Sequence, residues 1–261
     1  MHPVLFTLGP YVAYTYVYIH IIAFTLCYFA VFRPLVVKSG MNLESAENAG
    51  IGGIIAGLLG NRVLGILSDF SYYLKNPAEM FGIGTNTAFY GAPIAGFFFL
   101  LLYTRLKKLP PLKMTDVGVV TLCLGQAIGR IGCFFAGCCH GTATSHWWGI
   151  SLESPLVESS LRGVPLHPVQ LYESAVMFGL YFGLRHVLLN RSKFDGHVTM
   201  LYFAAYAIAR FILEFFRGDS IRGYVGVPYL STSQFISVLI FGAVAGLYFR
   251  RLRGTKLLHE R

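Results

Sequence analysis

Arg62, Arg130, Arg210 and Glu214 each fall inside an otherwise apolar run of the sequence. An arginine at bilayer depth costs roughly 2.5–3.5 kcal/mol on insertion scales, so each one needs a partner or a purpose. Tyr206, Arg210 and Glu214 recur every four residues and share one helix face, with Arg217 a turn beyond Glu214. Several guanidinium groups at one depth suit a phosphate, which arginine grips through a rigid fork of donors. The competing reading is an Arg210–Glu214 pair that only fixes helix packing.

A second constellation lies in the run GRIGCFFAGCCHG at residues 129–141. It offers the thiols of Cys133, Cys138 and Cys139 and the imidazole of His140. Four readings stand: a metal site, a disulfide or redox pair, a thiol pocket activated by Arg130, or small residues packing a glycine-rich helix end. The C-x4-C-C-H spacing matches no standard zinc pattern, which sets the metal reading below the others, and no cofactor is expected. His167 opens the run HPVQLYE (167–173), which also holds Gln170; a chemical role and a helix-orienting role both fit it. His2, His20, His186, His197 and His259 read as interfacial or core residues, and Cys27 as a small apolar one. No Walker loop, HExxH or GxSxG occurs.

Composition determines what must position these groups. Of 261 residues, 55% are hydrophobic and only 13% charged, with a mean hydropathy of +0.59. Soluble chains carry about 25% charged residues. The apolar surface here cannot be covered in water, which excludes a soluble globule, a disordered chain and a disulfide-stapled miniprotein. The fold class expected is an all-α polytopic membrane protein, one transmembrane domain over 1–261. Apolar runs at about 12–32, 49–68, 88–104, 116–137, 168–189, 197–216 and 232–249 predict seven transmembrane helices. The second run is rich in glycine (Gly50, Gly52, Gly53, Gly57, Gly60) and is expected to pack inside the bundle.

Most of the 21 lysines and arginines, among them Arg33, Lys38, Arg105, Lys107, Arg191 and Arg250, fall in alternate connections and the tail. The positive-inside bias then places the N-terminus on the periplasmic side and the C-terminus in the cytoplasm. Residues 1–10 lack lysine and arginine, so no cleavable signal peptide is expected. Segments 69–87 and 138–166 are expected to be ordered, extramembrane and periplasmic, with Trp147 and Trp148 in an interfacial belt. The +9 charge flanks the spans without forming a groove, so the partner is the lipid bilayer and not nucleic acid. Following each span's direction, Tyr16, Arg62, Tyr90, Arg130, His167, Arg210 and Glu214 all fall in the outer half. That shared depth argues for one polar site facing the periplasmic leaflet.

These residues resemble the prolipoprotein diacylglyceryl transferase family. The resemblance follows chain order from PVLFTLGP (3–10) through Gly60-Asn61-Arg62, Phe89-Tyr90-Gly91-Ala92 and Asp116. It continues with GRIG (129–132), HPVQLYE (167–173), Tyr206-x3-RFxxEFFR (to Arg217) and Ser231-x2-Gln234. It implies an enzyme of the bacterial cytoplasmic (inner) membrane that takes diacylglycerol from phosphatidylglycerol. The acceptor is the thiol of a prolipoprotein lipobox cysteine, and glycerol phosphate is released. By that resemblance the candidate catalytic residues are Arg130 and Arg210, which stabilise the leaving phosphate, with Tyr90 and His167. The candidate substrate-binding residues are Tyr16, Arg62, Tyr206, Glu214, Cys133, Cys138, His140 and Gln170. Glu214 orients Arg210. The chain departs from the family pattern at Tyr90, where a histidine is usual, and at Cys133, Ala136 and Cys138, where Asn, Asn and Glu are usual. Two alternatives follow from the departures: the same donor with another acceptor, or a lipid-binding or redox membrane protein without transfer activity.

Overall fold

The apolar runs fold as helices, and the deviations from expectation occur where local chemistry opposes a helix. A computed structural model describes residues 3–9, 11–81, 91–154, 157, 159–218 and 230–259. Alternating aromatic and β-branched residues put the start of the chain into an antiparallel hairpin, β1 (Val4–Leu8) with β2 (Tyr11–Tyr14), turned at Gly9, whose φ is +57°. The first membrane run, expected from residue 12, therefore begins as α1 (Thr15–Leu26). It continues through a π-helical stretch, Cys27–Phe32, into α2 (Arg33–Lys38). Next come α3 (Leu43–Ser68), α4 (Phe70–Lys75), a 3-10 turn (Pro77–Phe81) and α5 (Gly91–Leu106). Residues 69–81 are thus largely helical, and Tyr90 lies outside the described residues.

The following helix, α6 (Pro111–Ala136), starts five residues before the expected 116, because proline at a first helical position removes only a donor that would be unsatisfied anyway. A pair of short strands, β3 (Ile150–Ser151) and β4 (Pro165–Leu166), precedes α7 (Val169–Asn190), α8 (His197–Leu213) with a 3-10 extension (Glu214–Phe216), and α9 (Thr232–His259).

Among the described residues, five helices are long and apolar enough to cross a membrane: Thr15–Lys38, Leu43–Ser68, Pro111–Ala136, His197–Phe216 and Thr232–Arg253. The two other expected spans fall short for different reasons. Gly91–Leu106 is only 16 residues long. Val169–Asn190 is long enough at 22 residues, but Gln170, Glu173, Arg185 and His186 make it more polar.

The chain divides into two compact units, Arg33–Gly118 and Met1–Phe32 with Val119–Arg261. In the first, Asn42 caps α3 by accepting a hydrogen bond from the Ser45 amide at 2.8 Å. The glycines of α3 do bring a neighbour close, but on one side only. A Cβ at Gly60 would stand 2.4 Å from the Gly91 carbonyl oxygen, and one at Gly57 3.3 Å from that of Ala92. Asn61 Oδ1 accepts from the Ala92 amide at 2.7 Å, tying the start of α5 to α3. The other side of α3 leaves Ile51, Ile54, Ile55, Leu58 and Leu59 exposed, so the helix is not enclosed on all faces. Gly60→Leu is expected to lower stability by about 1–3 kcal/mol, as overpacking does. Gly242→Leu, where nothing lies within 4 Å of the added carbon, is the control. Thermal melting of both variants in detergent checks this, and equal melting temperatures would refute the close α3–α5 approach.

In the second unit, α7 is fastened to α6 by the Ser174 hydroxyl donating to the Ala127 carbonyl at 2.8 Å. The Tyr202 hydroxyl of α8 donates to Gln126 Oε1 at 3.0 Å. Ser231 and Gln234 cap α9 reciprocally: the Ser231 amide donates to Gln234 Oε1 at 3.1 Å and the Gln234 amide to Ser231 Oγ at 3.2 Å. Segment 138–166 has its own small core of Leu152, Val157 and Leu166, behind the β3–β4 pair. Trp147 is 90% exposed, with Trp148 stacked on His146 at 4.4 Å.

Candidate functional site

Both glycines of GRIG make room for α1. A Cβ at Gly132 would come within 3.1 Å of the His20 ring, and one at Gly129 within 3.3 Å. The last turns of α6 therefore lie beside the turn of α1 that carries Tyr16. Tyr16 is within electrostatic reach of Arg130, Cys133, Cys138 and Cys139.

Arg130, near the end of α6, is held by a carboxylate from α7: its Nη2 lies 2.9 Å from Glu173 Oε1. Glu173 is only 2% exposed. On α8, Arg210 Nη2 lies 2.8 Å from Glu214 Oε2 in the expected i,i+4 pair and donates to Ser233 Oγ on α9 at 3.1 Å. Two arginines are thus each anchored by a buried acid. Tyr206 is within electrostatic reach of both, and of Glu173 and Arg217. Arg210 Nη1 is buried and has no hydrogen-bond partner among the described residues. A buried, unpaired guanidinium donor costs about 1–3 kcal/mol or more, which an anion arriving there would recover.

The thiols converge through the way α6 ends. Gly137, at φ +80°, closes the helix, and its amide donates to the carbonyls of Cys133 and Phe134 at 3.0 and 3.1 Å. A Cβ there would lie 2.4 Å from that of Ser154. Cys139 then adopts φ +59°, uncommon outside glycine and asparagine, and turns the chain back. As a result the sulfurs of Cys133, Cys138 and Cys139 all lie within 4.8 Å of one another. The Cys139 thiol is held well below its usual range, first by hydrogen bonds from the Cys133 and Cys138 thiols, with Arg130 and Arg217 adding to the effect against burial. The Cys138 thiol is correspondingly pushed up by its hydrogen bonds with the Cys133 and Cys139 thiols and by burial.

The remaining candidates have defined places. Gln170 is 1% exposed and its Nε2 donates to the Cys138 carbonyl at 2.7 Å, while its buried Oε1 has no hydrogen-bond partner among the described residues. His140 is buried with Nδ1 3.0 Å from its neighbour's carbonyl, Gly141. His167 sits among His146, Tyr172 and Phe216, its Nδ1 3.2 Å from the Tyr172 hydroxyl. Its backbone pairs with Gly141 and Thr142 at 2.9 Å, which gives it an organising place in the 138–167 segment. Arg62 lies in the Arg33–Gly118 unit and is engaged locally. It donates to the carbonyls of Glu79 and Met80 and stacks over Tyr73, holding the 77–81 turn against α3.

Glu173 and Ser233 are parts of this arrangement that sequence reasoning did not assign to the site, and Cys139 enters that reasoning only as a member of the thiol cluster, not as a substrate-binding residue. Glu173 carried a usable signal, since a carboxylate inside an apolar helix is as costly as an arginine. Ser233 carried none, because only the packing of α9 on α8 brings it to Arg210.

The family model described as "Prolipoprotein diacylglyceryl transferase" matches residues 3–250. A phosphatidylglycerol–prolipoprotein diacylglyceryl transferase of Clostridium tetani is 40% identical over 212 residues, 81% of this chain and 82% of its own length. One from Clostridium perfringens is 34% identical over 243 residues, 90% of this chain and 91% of its own. The Thermotoga maritima protein of the same name is 33% identical over 243 residues, 90% and 80% respectively. A match that runs from the β1–β2 hairpin into α9, and takes in every residue of the anchored-arginine arrangement, means that the chain belongs to the prolipoprotein diacylglyceryl transferase family.

Proposed function

We propose that this chain is a membrane-embedded transferase that moves the diacylglyceryl group of phosphatidylglycerol onto the thiol of a prolipoprotein lipobox cysteine. The reaction is displacement at the glycerol carbon that bears the phosphate, with glycerol phosphate leaving. Its main demand is neutralisation of charge on the departing phosphate. The observation that carries the reading is the buried Arg210 Nη1, which has no hydrogen-bond partner among the described residues, together with a second arginine, Arg130, within electrostatic reach of the same Tyr206, each arginine paired with a carboxylate. Arg130 and Arg210 take the leaving phosphate, Glu214 orients Arg210, and Tyr16 and Tyr206 hydrogen-bond the headgroup. Cys133, Cys138, His140 and Gln170 line the acceptor side, where His167 supplies a polar partner; Tyr90, a catalytic candidate by the family resemblance, lies outside the described residues. Arg62, a substrate-binding candidate by the family resemblance, shapes the 77–81 turn within its own unit.

The proposed topology is seven spans in the bacterial inner membrane, N-terminus periplasmic and C-terminus cytoplasmic, with the site at the periplasmic leaflet. It is supported by the distribution of lysine and arginine and by the length of Val169–Asn190, which spans roughly 33 Å at 1.5 Å per residue. The second reading, another acceptor, draws on Tyr90, Cys133 and Cys138, which depart from the family pattern.

Purified protein given headgroup-labelled phosphatidylglycerol and a lipobox peptide is expected to release glycerol phosphate. The peptide should gain one diacylglyceryl group on cysteine, and a serine peptide should stay inert. Release that ignores the peptide's cysteine would favour the second reading, and absence of release would refute both.

A further inference from the structure

The thiol triad is more specific than the packing of a helix end requires. A left-handed backbone position that favours glycine or asparagine holds Cys139, at a cost of about 1–3 kcal/mol. With metal–sulfur bonds of about 2.3 Å, sulfurs around one ion stand roughly 3.8–4.0 Å apart. The three sulfurs, all within 4.8 Å of one another, meet that spacing with small side-chain rotations. No fourth thiol, imidazole or carboxylate joins the group among the described residues. The loop is braced as ligand loops are: Gln170, 1% exposed, donates to the Cys138 carbonyl, and Ser154 donates to that of Ala136 at 2.5 Å. The C-x4-C-C spacing left a metal site as one reading among four, because the convergence depends on two left-handed residues at the end of α6.

We infer that Cys133, Cys138 and Cys139 form a tri-thiolate site for a thiophilic d10 cation, Zn2+ or Cu+, whose open coordination position takes the acceptor thiol. Three protein ligands and one open position form the layout of a reactive site, not a structural one. A coordinated thiol is deprotonated outright, which supplies acceptor activation without a separate general base. The acceptor's S–H proton passes to water on coordination. The sulfur pair then forms the C–S bond to the glycerol carbon, and the C–O pair departs with glycerol phosphate beside Arg130. This role for the open position rests on the transfer reading above, whereas the metal site does not.

The test uses the full-length protein, reduced and metal-free in detergent. Zn2+ and Cu+ are titrated separately against chromophoric chelators. One equivalent of either ion is expected to bind. Cys133→Ser and Cys139→Ser should weaken binding by more than about 100-fold, beyond the 10–100-fold typical of outer-shell changes such as Gln170→Ala. Melting of the apo variants with apo wild type shows that they fold. No stoichiometric uptake, or uptake indifferent to both serine variants, overturns the site. With Cd2+ as probe, sulfur-to-metal absorption is expected to rise by about one-third on adding the cysteine lipobox peptide and not the serine peptide. Unchanged absorption, or full turnover after chelation, overturns the role of the open position. Glycerol phosphate release judges the transfer reading separately.

Discussion

Arg210→Lys is expected to cut diacylglyceryl transfer by about 10²–10³-fold, the loss typical of removing one preorganised donor from a developing oxyanion. The melting temperature should stay close to wild type. Lysine keeps the positive charge beside Glu214, so the buried acid is not orphaned. What it cannot reproduce is the fork in which one nitrogen serves Glu214 and Ser233 while the other, without a hydrogen-bond partner among the described residues, is left for an incoming anion. Alanine is the poorer test, since stranding Glu214 costs stability as well as chemistry. The measurement is kcat for labelled glycerol phosphate release, with melting followed in the same detergent. If Arg210→Lys turned over at the wild-type rate, a mere point charge would suffice and the phosphate-fork assignment would fail. A purely structural Arg–Glu pair makes the same prediction of near-normal turnover, so this variant separates the two readings.

Glu173→Ala is the second large effect. Its carboxylate is almost fully buried and pairs with Arg130 at 2.9 Å. Removing it leaves a guanidinium charge in the interior with no partner from α7. Loss of one member of a buried pair costs about 3–5 kcal/mol, and the lower end applies because the Arg130 side chain keeps 23% exposure. Turnover should also fall by about 10²-fold, since a displaced Arg130 no longer meets the leaving phosphate in line. Glu173→Gln should recover most of the stability and less of the activity. A double-mutant cycle with Arg130→Met checks the pairing: a coupling below about 0.5 kcal/mol would show that the two side chains act independently.

The helices themselves were mostly legible, for a simple reason. A run of apolar residues that must satisfy its own backbone hydrogen bonds has little choice but a helix. His197–Phe216 matches the expected run residue for residue. The i,i+4 geometry of Arg210 and Glu214 followed equally from helical periodicity, whereas Ser231 and Gln234 entered only as a family motif and the structure shows them as a reciprocal cap. Boundaries failed where residue chemistry was local: the alternating β-formers of residues 4–14 paired with each other before α1 could begin, and Pro111 started α6 early. Arg62 shows a different limit. Its cost inside an apolar run was visible, but the carbonyls of Glu79 and Met80 that engage it come from a turn whose fold the pattern did not reveal.

By itself, then, the sequence determined the membrane class, the helical periodicity, the family and the presence of costly arginines, since each depends on residue type and near-neighbour spacing. Tertiary structure alone decided which acid holds which arginine, that Ser233 reaches Arg210 from α9, and that three thiols spaced C-x4-C-C meet around one point. Those outcomes depend on distances between elements far apart in the chain, or on two left-handed backbone turns. Neither is encoded in any short-range pattern, because they arise only when whole helices pack.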